Sequence, residues 1–332
     1  MKISDIGEFG FIDAIKEETL FAPDNVVIGI GDDGAVYRTT AGMEQIAVID
    51  TMVEDCHFII GQTADWFDVG YKAVASNLSD VAAMGGIPTH IVLSTAISPN
   101  MEVDDLISLY RGIKEVCRQF HVNIIGGDTV TSRQGLVITV AAFGEIEEGK
   151  AICRSGARDG DVLAVSHCIG NSAGGLDVQL SHKTGYQQLV LAHRMPVPQV
   201  VLGRHLVRHH CHSINDISDG LASEANEIAS ASQVQLIIDR SLIPTSDELR
   251  KWCRQEQKSF WDLVLYGGED YELLFTMTPE DFNLLHDEYP DVTAIGIVRQ
   301  GPAVVHLLHD GNDEILLPHG FQHFDKEDKS HD

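Results

Sequence analysis

The stretch DVGYKAVASNLSDVAAMGG, residues 68–86, decides the fold of the first half of the chain. Its apolar residues recur with helical spacing, which predicts a helix over Asp68–Met84. The glycine pair Gly85-Gly86 supplies the stop signal, because glycine readily adopts the left-handed conformation that ends many helices. A strand is predicted directly afterwards, over Thr89–Ala96. This helix-turn-strand unit indicates a helix packed against a sheet.

The remaining predicted elements extend the same mixture of helices and strands in both directions. Further strands are predicted over Asn25–Ile30, Gln45–Ile49, Val122–Ile125, Leu136–Gly144, Asp161–Val165, Tyr271–Met277 and Thr293–Val298. Further helices are predicted over 11–20, Val103–Phe120, Gly174–Leu180, Gln199–Val207 and Asp219–Ser230. The alternation is imperfect and includes hairpin-like pairs, which favours two α+β domains over one doubly wound sheet.

A polar stretch, Glu145–Lys150, separates the two halves of the chain. We therefore predict an N-terminal domain over residues 1–148 and a C-terminal domain over residues 149–325. Residues 326–332 are rich in charge and are expected to form a disordered tail.

The composition is that of a globular protein with a large acidic excess. The 332 residues include 50 Asp and Glu against 23 Lys and Arg, which gives a formal net charge of −27. Such a charge disfavours binding to nucleic acid through phosphate neutralisation. No apolar run reaches the ~18 residues of a membrane span, and acids near the start disfavour a signal peptide. Six scattered cysteines without a CxxC pair are typical of a reduced, cytoplasmic compartment.

Two glycine-rich stretches imitate nucleotide-binding motifs. Gly29–Gly34 satisfies GxGxxG, but a dinucleotide fold requires a helix to begin there, and Ala35–Arg38 is predicted to continue as a strand. Gly144–Lys150 satisfies GxxxxGK, but Ala151 replaces the Ser or Thr that would hold Mg²⁺. Neither motif predicts a phosphate site.

Aspartates beside glycine-rich turns are the main functional signal. They are Asp32, Asp33, Asp50, Asp80, Asp128, Asp216 and Asp219. One such aspartate is usually a turn former or a helix cap. Their repetition in separate segments indicates a shared role, and carboxylates in this number suit Mg²⁺. Since two carboxylates ~4 Å apart repel by ~4 kcal/mol at an effective dielectric near 20, a cluster needs divalent cations, as does bound ATP.

Asp80 differs from the others because it lies inside the predicted helix 68–84. It shares a helix face with Lys72 and Ser76, at spacings of four residues. The alternative interpretation is an exposed polar face without function.

Seven motifs, taken together, resemble the thiamine-monophosphate kinase family of the aminoimidazole ribonucleotide synthetase superfamily. In chain order they are GIGDDGA (29–35), IDTMVEDCHF (49–58), YKAVASNLSDVAAMGG (71–86), IIGGDT (124–129), RSGARDGD (154–161), DISDGL (216–221) and GGEDYEL (267–273). The resemblance covers nearly the whole chain.

The resemblance implies an α+β fold. Its N-terminal domain has a mixed or antiparallel sheet with helices on one face, which dimerises into a barrel, and its C-terminal domain is an α/β sandwich. It further implies a homodimer and direct in-line transfer of the γ-phosphoryl group of ATP to thiamine monophosphate, with several Mg²⁺ ions in a cleft between the domains.

The resemblance also implies roles for individual residues. The metal ligands would be Asp33, Asp50, Asp80, Asp128, Asp216 and Asp219. The ATP contacts would be Gly127, Asp128, Arg154 and Ser218, and the substrate contacts His57, Glu269 and Phe321. Asp128, Arg154 and Asp219 would take part in the catalytic step. Val48 and Ile49 depart from the family, which usually has a hydroxyl residue there.

Two alternatives remain open from the sequence. One is another ATP-dependent synthetase of the same superfamily, and the other is a non-catalytic protein that binds divalent metal.

Overall fold

The computed structural model describes residues 1–320, and residues 321–332 lie outside the described part, with Phe321 and the predicted tail among them. The chain forms two compact units. The first contains Met1–Ile152, Gln179–Lys183 and Arg194–Val207, and the second contains Cys153–Val178, Thr184–His193 and the residues from Arg208 on. The domain boundary at residues 148 and 149 stays a prediction.

The first unit is built around a four-stranded mixed sheet. Its elements are α1 (Ile3–Ile15), β1 (Val26–Ile28), β2 (Val36–Tyr37), β3 (Met43–Val53), α2 (Trp66–Ala83), β4 (Ile87–Ile97), α3 (Val103–Gln119), β5 (Asn123–Thr131) and β6 (Val137–Glu147). The strand order is β3-β6-β4-β5, in which only β4 and β5 run parallel. Strands β1 and β2 form a separate antiparallel pair. Helix α2 packs on the sheet, and α3 packs on α2.

Two glycines bring α2 and α3 into close contact. A Cβ on Gly70 of α2 would overlap the carbonyl oxygen of Leu109, and a Cβ on Gly112 of α3 would overlap that of Phe67. Each helix therefore presents a glycine to the backbone of the other. This crossing brings buried apolar residues of both helices, such as Val74 and Ile113, into one core.

Only one face of the four-stranded sheet is covered within the first unit. On β3, Ile46 and Met52 are 5% and 6% exposed, whereas Ile49 on the other face is 67% exposed. Antiparallel sheets commonly leave one face open in this way. The pairing of this face with a second chain stays a prediction.

The elements from residue 162 on are β7 (Val162–Ser166), α4 (Asn171–Leu180), α5 (Gln187–Arg194), α6 (Val200–Arg208), β8 (Ser213–Asp216), α7 (Leu221–Ser232), β9 (Gln235–Asp239), α8 (Asp247–Glu256), α9 (Phe260–Tyr266), β10 (Leu273–Met277), α10 (Pro279–Glu288), β11 (Val292–Arg299), β12 (Val305–His309) and β13 (Asn312–Ile315). All but the last residue of α6 belong to the first unit. The second unit contains a seven-stranded mixed sheet with order β13-β12-β9-β11-β7-β10-β8. All pairs are antiparallel except β9 with β12. The α+β prediction is confirmed.

Several predicted boundaries were wrong. The first helix lies over Ile3–Ile15 rather than 11–20. Asp50 and Asp128 lie inside β3 and β5 rather than at strand ends, because both strands continue pairing with their neighbours beyond these residues. The sheet also includes Glu145–Glu147, so that part of the presumed linker is a strand. Val36–Tyr37 forms a strand as predicted, and no helix begins at the Gly29–Gly34 loop.

Candidate active site

In the first unit, Asp50 is brought together with Ser76 and His57. Ser76 of α2 forms a side-chain hydrogen bond to Asp50, and His57 is close enough to lower the pKa of its carboxyl. The turn after β3 holds His57 in place, because its Nδ1 accepts a hydrogen bond from the Val53 N–H at 3.1 Å. Asp50 has exposed surface, yet desolvation by the surrounding protein outweighs both partners and raises the pKa of its carboxyl.

The polar face of α2 points into the protein. Lys72 and Ser76 are only 3% and 4% exposed, and Asp80, one turn beyond Ser76, is half-buried. The alternative of an exposed polar face is therefore wrong. Because Ser76 faces Asp50, the same helix face that carries Asp80 adjoins the β3 aspartate.

Asp128 lies apart from this group within one chain, and Asp33 lies in an exposed loop. Asp33 is exposed in the loop between β1 and β2, where its N–H donates to Asp32 at 2.9 Å. Asp128, with Gly127, lies on edge strand β5, whereas Asp50 lies on the opposite edge strand, β3. Three strand spacings separate these edges by about 14 Å. One Mg²⁺ ion, which binds oxygen at about 2.1 Å, therefore cannot join Asp50 and Asp128 of the same chain.

In the second unit, most of the predicted site residues lie at the end of β8 or on two loops that hydrogen bond to each other. The first loop follows β8, and the second precedes β10. The Glu269 N–H donates to the Ser218 carbonyl oxygen at 2.7 Å, and the Tyr271 N–H donates to that of Ile217 at 2.8 Å. These bonds bring together Asp216, Ser218, Asp219 and Glu269. The approach is close, since a Cβ on Gly268 would meet the Ser218 carbonyl oxygen.

Arg154 lies beside the same loops through a network that the sequence did not reveal. Its Nε donates to Asn215 Oδ1 at 2.8 Å and lies 3.2 Å from Glu227 Oε2. The Asn215 amide in turn donates to the carboxylates of Glu224 and Glu227. Glu224 also accepts the Asp219 N–H at 3.1 Å. The only signal in the sequence was the spacing of two glutamates, three residues apart, on the helix that follows Asp219.

The acids of this network are crowded enough to favour a cation. Asp216 and Glu224 are 3% and 2% exposed. Burial, followed by the charges of Asp216 and Glu227, raises the pKa of Glu224 to about 9. Clustered carboxylate oxygens are the donors that Mg²⁺ prefers. The donor set therefore fits divalent metal, and Asp216 and Asp219 are its candidate ligands in this unit.

The loop over Gly267–Tyr271 has an unusual backbone. Glu269 and Tyr271 have φ values of 63° and 52°, which non-glycine residues rarely adopt. Between them, Asp270 accepts the N–H groups of Gly170 and Ser172 at 2.6 and 3.0 Å, at the start of α4. Burial raises the pKa of Asp270 to about 7, although these hydrogen bonds oppose the shift. The Asp270 side chain thus anchors the loop, directly after Glu269, to the start of α4.

The chain matches two domain families along its length. Residues 31–146 match the N-terminal domain of AIR synthase related proteins, and residues 158–306 match the C-terminal domain of the same proteins.

Individual relatives agree with these matches over almost the full chain. The thiamine-monophosphate kinase of Bacillus subtilis is 38% identical over 330 residues, which cover 96% of this chain and 99% of the relative. The crystal structure of the same enzyme from Stenotrophomonas maltophilia superposes with a TM-score of 0.82 at 32% identity, covering 92% and 98% of the two chains. AaThiL complexed with AMPPCP and TMP gives a TM-score of 0.78 at 33% identity, covering 98% and 99%. The chain belongs to the thiamine-monophosphate kinase family of AIR synthase related proteins.

Proposed function

We propose that this chain transfers the γ-phosphoryl group of ATP directly to the phosphate of thiamine monophosphate, which yields thiamine diphosphate and ADP. The observation that carries the proposal is the pair of hydrogen-bonded loops that hold Asp216, Ser218 and Asp219 beside Glu269. One loop offers carboxylates for metal ions, which would in turn bind phosphate oxygens, and the other offers a carboxylate for a cationic or N–H-bearing substrate. The complex of AaThiL with AMPPCP and TMP supports the same pair of ligands.

The protein contributes to this reaction by binding and orienting the two substrates. Phosphoryl transfer requires little covalent participation by the protein, and an acceptor phosphate needs no strong general base. Arg154 supplies a guanidinium for phosphate oxygens, with its Nε fixed by Asn215. Ser218 and Gly127 offer further contacts to ATP.

We propose that Asp50, Asp80, Asp216 and Asp219 hold Mg²⁺, with Asp33 and Asp128 as further ligands. The burial that raises the pKa of Asp50 and the crowding around Glu224 both favour a bound cation. When bound, Mg²⁺ would neutralise the phosphate oxygens and so favour an in-line geometry.

We assign substrate contacts to His57 and Glu269, whereas the third predicted contact, Phe321, lies outside the described residues. The carboxylate of Glu269 suits the positively charged thiazolium ring or the aminopyrimidine of thiamine monophosphate. His57 adjoins Asp50, and it is therefore placed to meet a substrate phosphate near the metal ligands.

We further propose that the enzyme is a homodimer that acts in the cytoplasm. The open sheet face with exposed Ile49 supports pairing of two sheets into a barrel. Such pairing makes edge strands of two chains neighbours, which gives Asp128 a route to a shared site. All six cysteines are unpaired thiols, as expected in a reducing compartment.

The direct test is an ADP-release assay with ATP, Mg²⁺ and thiamine monophosphate. We expect turnover that depends on all three, with thiamine itself, which lacks the acceptor phosphate, as the matched control. Binding of Mg²⁺ without ADP release above background would reject the proposal and favour a non-catalytic metal-binding protein.

A further inference from the structure

A buried histidine lies behind Glu269, on the side of the carboxylate away from solvent. The Nδ1 atom of His193, on α5, is 3.4 Å from Glu269 Oε2 and 3.1 Å from Ser172 Oγ. The His193 side chain is 3% exposed, whereas that of Glu269 is 28% exposed. Glu269 can therefore meet a ligand with one part of its carboxylate while His193 holds the other.

The backbone around this contact is fixed from several directions. Gly175 of α4 lies so close to α5 that an added Cβ would overlap the Leu189 carbonyl oxygen and touch His193. Asp270 ties the start of α4 to the loop by accepting the N–H groups of Gly170 and Ser172. Helices α4 and α5 and the loop thus form one packed assembly, with the His193 ring at its centre.

The proton on the His193 ring follows from its neighbours. Both the Glu269 carboxylate and the Ser172 hydroxyl oxygen can accept a hydrogen bond, and both face Nδ1. A single proton on Nδ1 would be shared between the two oxygens, whereas a bare Nδ1 would place a lone pair against the Glu269 carboxylate. We therefore assign the proton to Nδ1, from which the imidazole N–H faces Glu269.

The left-handed backbone of Glu269 makes such a restraint necessary. At φ 63°, a non-glycine residue is strained, and this conformation persists only when its surroundings hold it. The Glu269 N–H is held by Ser218 at 2.7 Å, and the side chain is held by His193. Backbone and side chain are thus restrained by different partners, and the His193 contact acts on the carboxylate itself.

We propose that His193 is a positioning residue that fixes the Glu269 carboxylate against the substrate and thereby sets the affinity for thiamine monophosphate but not for ATP. The inference rests on the proposed function, in which Glu269 contacts that substrate. It does not require His193 to touch the substrate or to transfer a proton.

The test compares two variants that differ in where they place a donor. In His193→Asn the amide nitrogen can occupy the place of Nδ1, whereas in His193→Gln it lies beyond that place. We expect His193→Gln to raise the KM for thiamine monophosphate about tenfold, the order expected for a lost hydrogen bond to a charged group. The KM for ATP should stay within about twofold, and His193→Asn should retain most of the wild-type affinity.

A double-mutant cycle with Glu269→Ala adds a second readout. In the Glu269→Ala background, His193→Gln should change the KM for thiamine monophosphate little further, because no carboxylate is left for His193 to hold. Additive effects would overturn the inference. His286→Asn, at an exposed histidine on α10, is the matched control and should leave both KM values unchanged.

The outcomes separate this inference from the proposed function. A wild-type enzyme without turnover would overturn the function itself. Normal wild-type turnover with an unchanged thiamine monophosphate KM in His193→Gln, or equal increases for both substrates, would overturn only the role of His193. If both His193 variants melted far below the wild type, the ring would be a structural residue, and the inference would likewise fall.

Discussion

Asp80 is the side chain whose substitution best separates metal binding from folding. It is half-buried on the α2 face that also carries Ser76, and Asn has nearly the same shape as Asp. We expect Asp80→Asn to keep its thermal melting temperature within a few degrees, while ADP release falls by about 100-fold or more, because a metal ligand loses its charge. Asp104→Asn, at an exposed acid on α3, serves as the control. Near-normal turnover of Asp80→Asn would remove this residue from the metal site.

His90 is a second residue whose effect can be measured, through the pH dependence of the free energy of unfolding. Its ring is 2% exposed, and neither ring nitrogen has a hydrogen-bond partner among the described residues. Burial lowers its pKa below the usual 6.5, although Glu145 opposes the shift. The unfolded chain therefore binds a proton more readily than the folded protein does, so this histidine lowers stability as the pH falls through 6.5.

The prediction for His90 uses a variant that cannot titrate. Tyr37 stacks on the His90 ring with ring centroids 4.4 Å apart, and the phenyl ring of a His90→Phe variant can take the place of the imidazole. We expect the free energy of unfolding of the wild type to fall more steeply than that of His90→Phe between pH 7 and about pH 5, as measured by urea denaturation. Parallel curves for the two proteins would contradict this assignment.

Sequence reasoning at the residue scale singled out Asp80, whose metal role stays a prediction, and it missed Glu224. Asp80 interrupts an apolar helical repeat, so its position alone marked it as unusual. Glu224 lies on an ordinary helix of a highly acidic chain, and only the fold shows it buried beside Asn215 and Asp216. A buried acid cannot be distinguished from a solvated one without knowing which helix face packs inward.

At the scale of elements, the α2–α3 crossing depends on the absence of two side chains. We expect Gly70→Ala to lower stability by about 1–3 kcal/mol, because a methyl group would overlap the Leu109 carbonyl oxygen and force the helices apart. This cost exceeds the gain of up to about 1 kcal/mol in helix propensity. Differential scanning calorimetry should show a lower melting temperature. Gly29→Ala, where a Cβ meets only ordinary contacts, is the control, and equal melting of the two variants would contradict the prediction.

The sequence predicted long elements better than short buried ones. Helix α2 was found because 18 residues carry a consistent apolar repeat, and Gly85 marks its end. Strand β8 was missed because its four residues, Ser213–Asp216, are all buried and show no apolar-polar alternation. The pairing of the β8 and β10 loops could not be predicted either, since it depends on backbone hydrogen bonds between residues more than 50 positions apart.

At the scale of the whole molecule, the open face of the four-stranded sheet is the feature to test. Ile49 is the most exposed large apolar residue in β3, and a charge there would oppose burial against a second sheet. We expect Ile49→Glu to convert a dimer to a monomer in light-scattering measurements, with kinase activity reduced at the same time. Val197→Glu, at another exposed apolar residue, should leave the dimer intact. A wild-type monomer, or an unaffected Ile49→Glu dimer, would contradict the proposed pairing.

The hydrogen-bonded loops after β8 and before β10 carry a consequence for engineering the choice of acceptor. Each loop supplies the bonding partners of the other, through Ser218 with Glu269 and Ile217 with Tyr271. Replacing only one of the two loops with that of another enzyme of the superfamily would leave carbonyl groups without hydrogen-bond partners. It would also relax the left-handed turn at Glu269. Chimeras that exchange both segments together should therefore accept a foreign substrate more readily than those that exchange either alone.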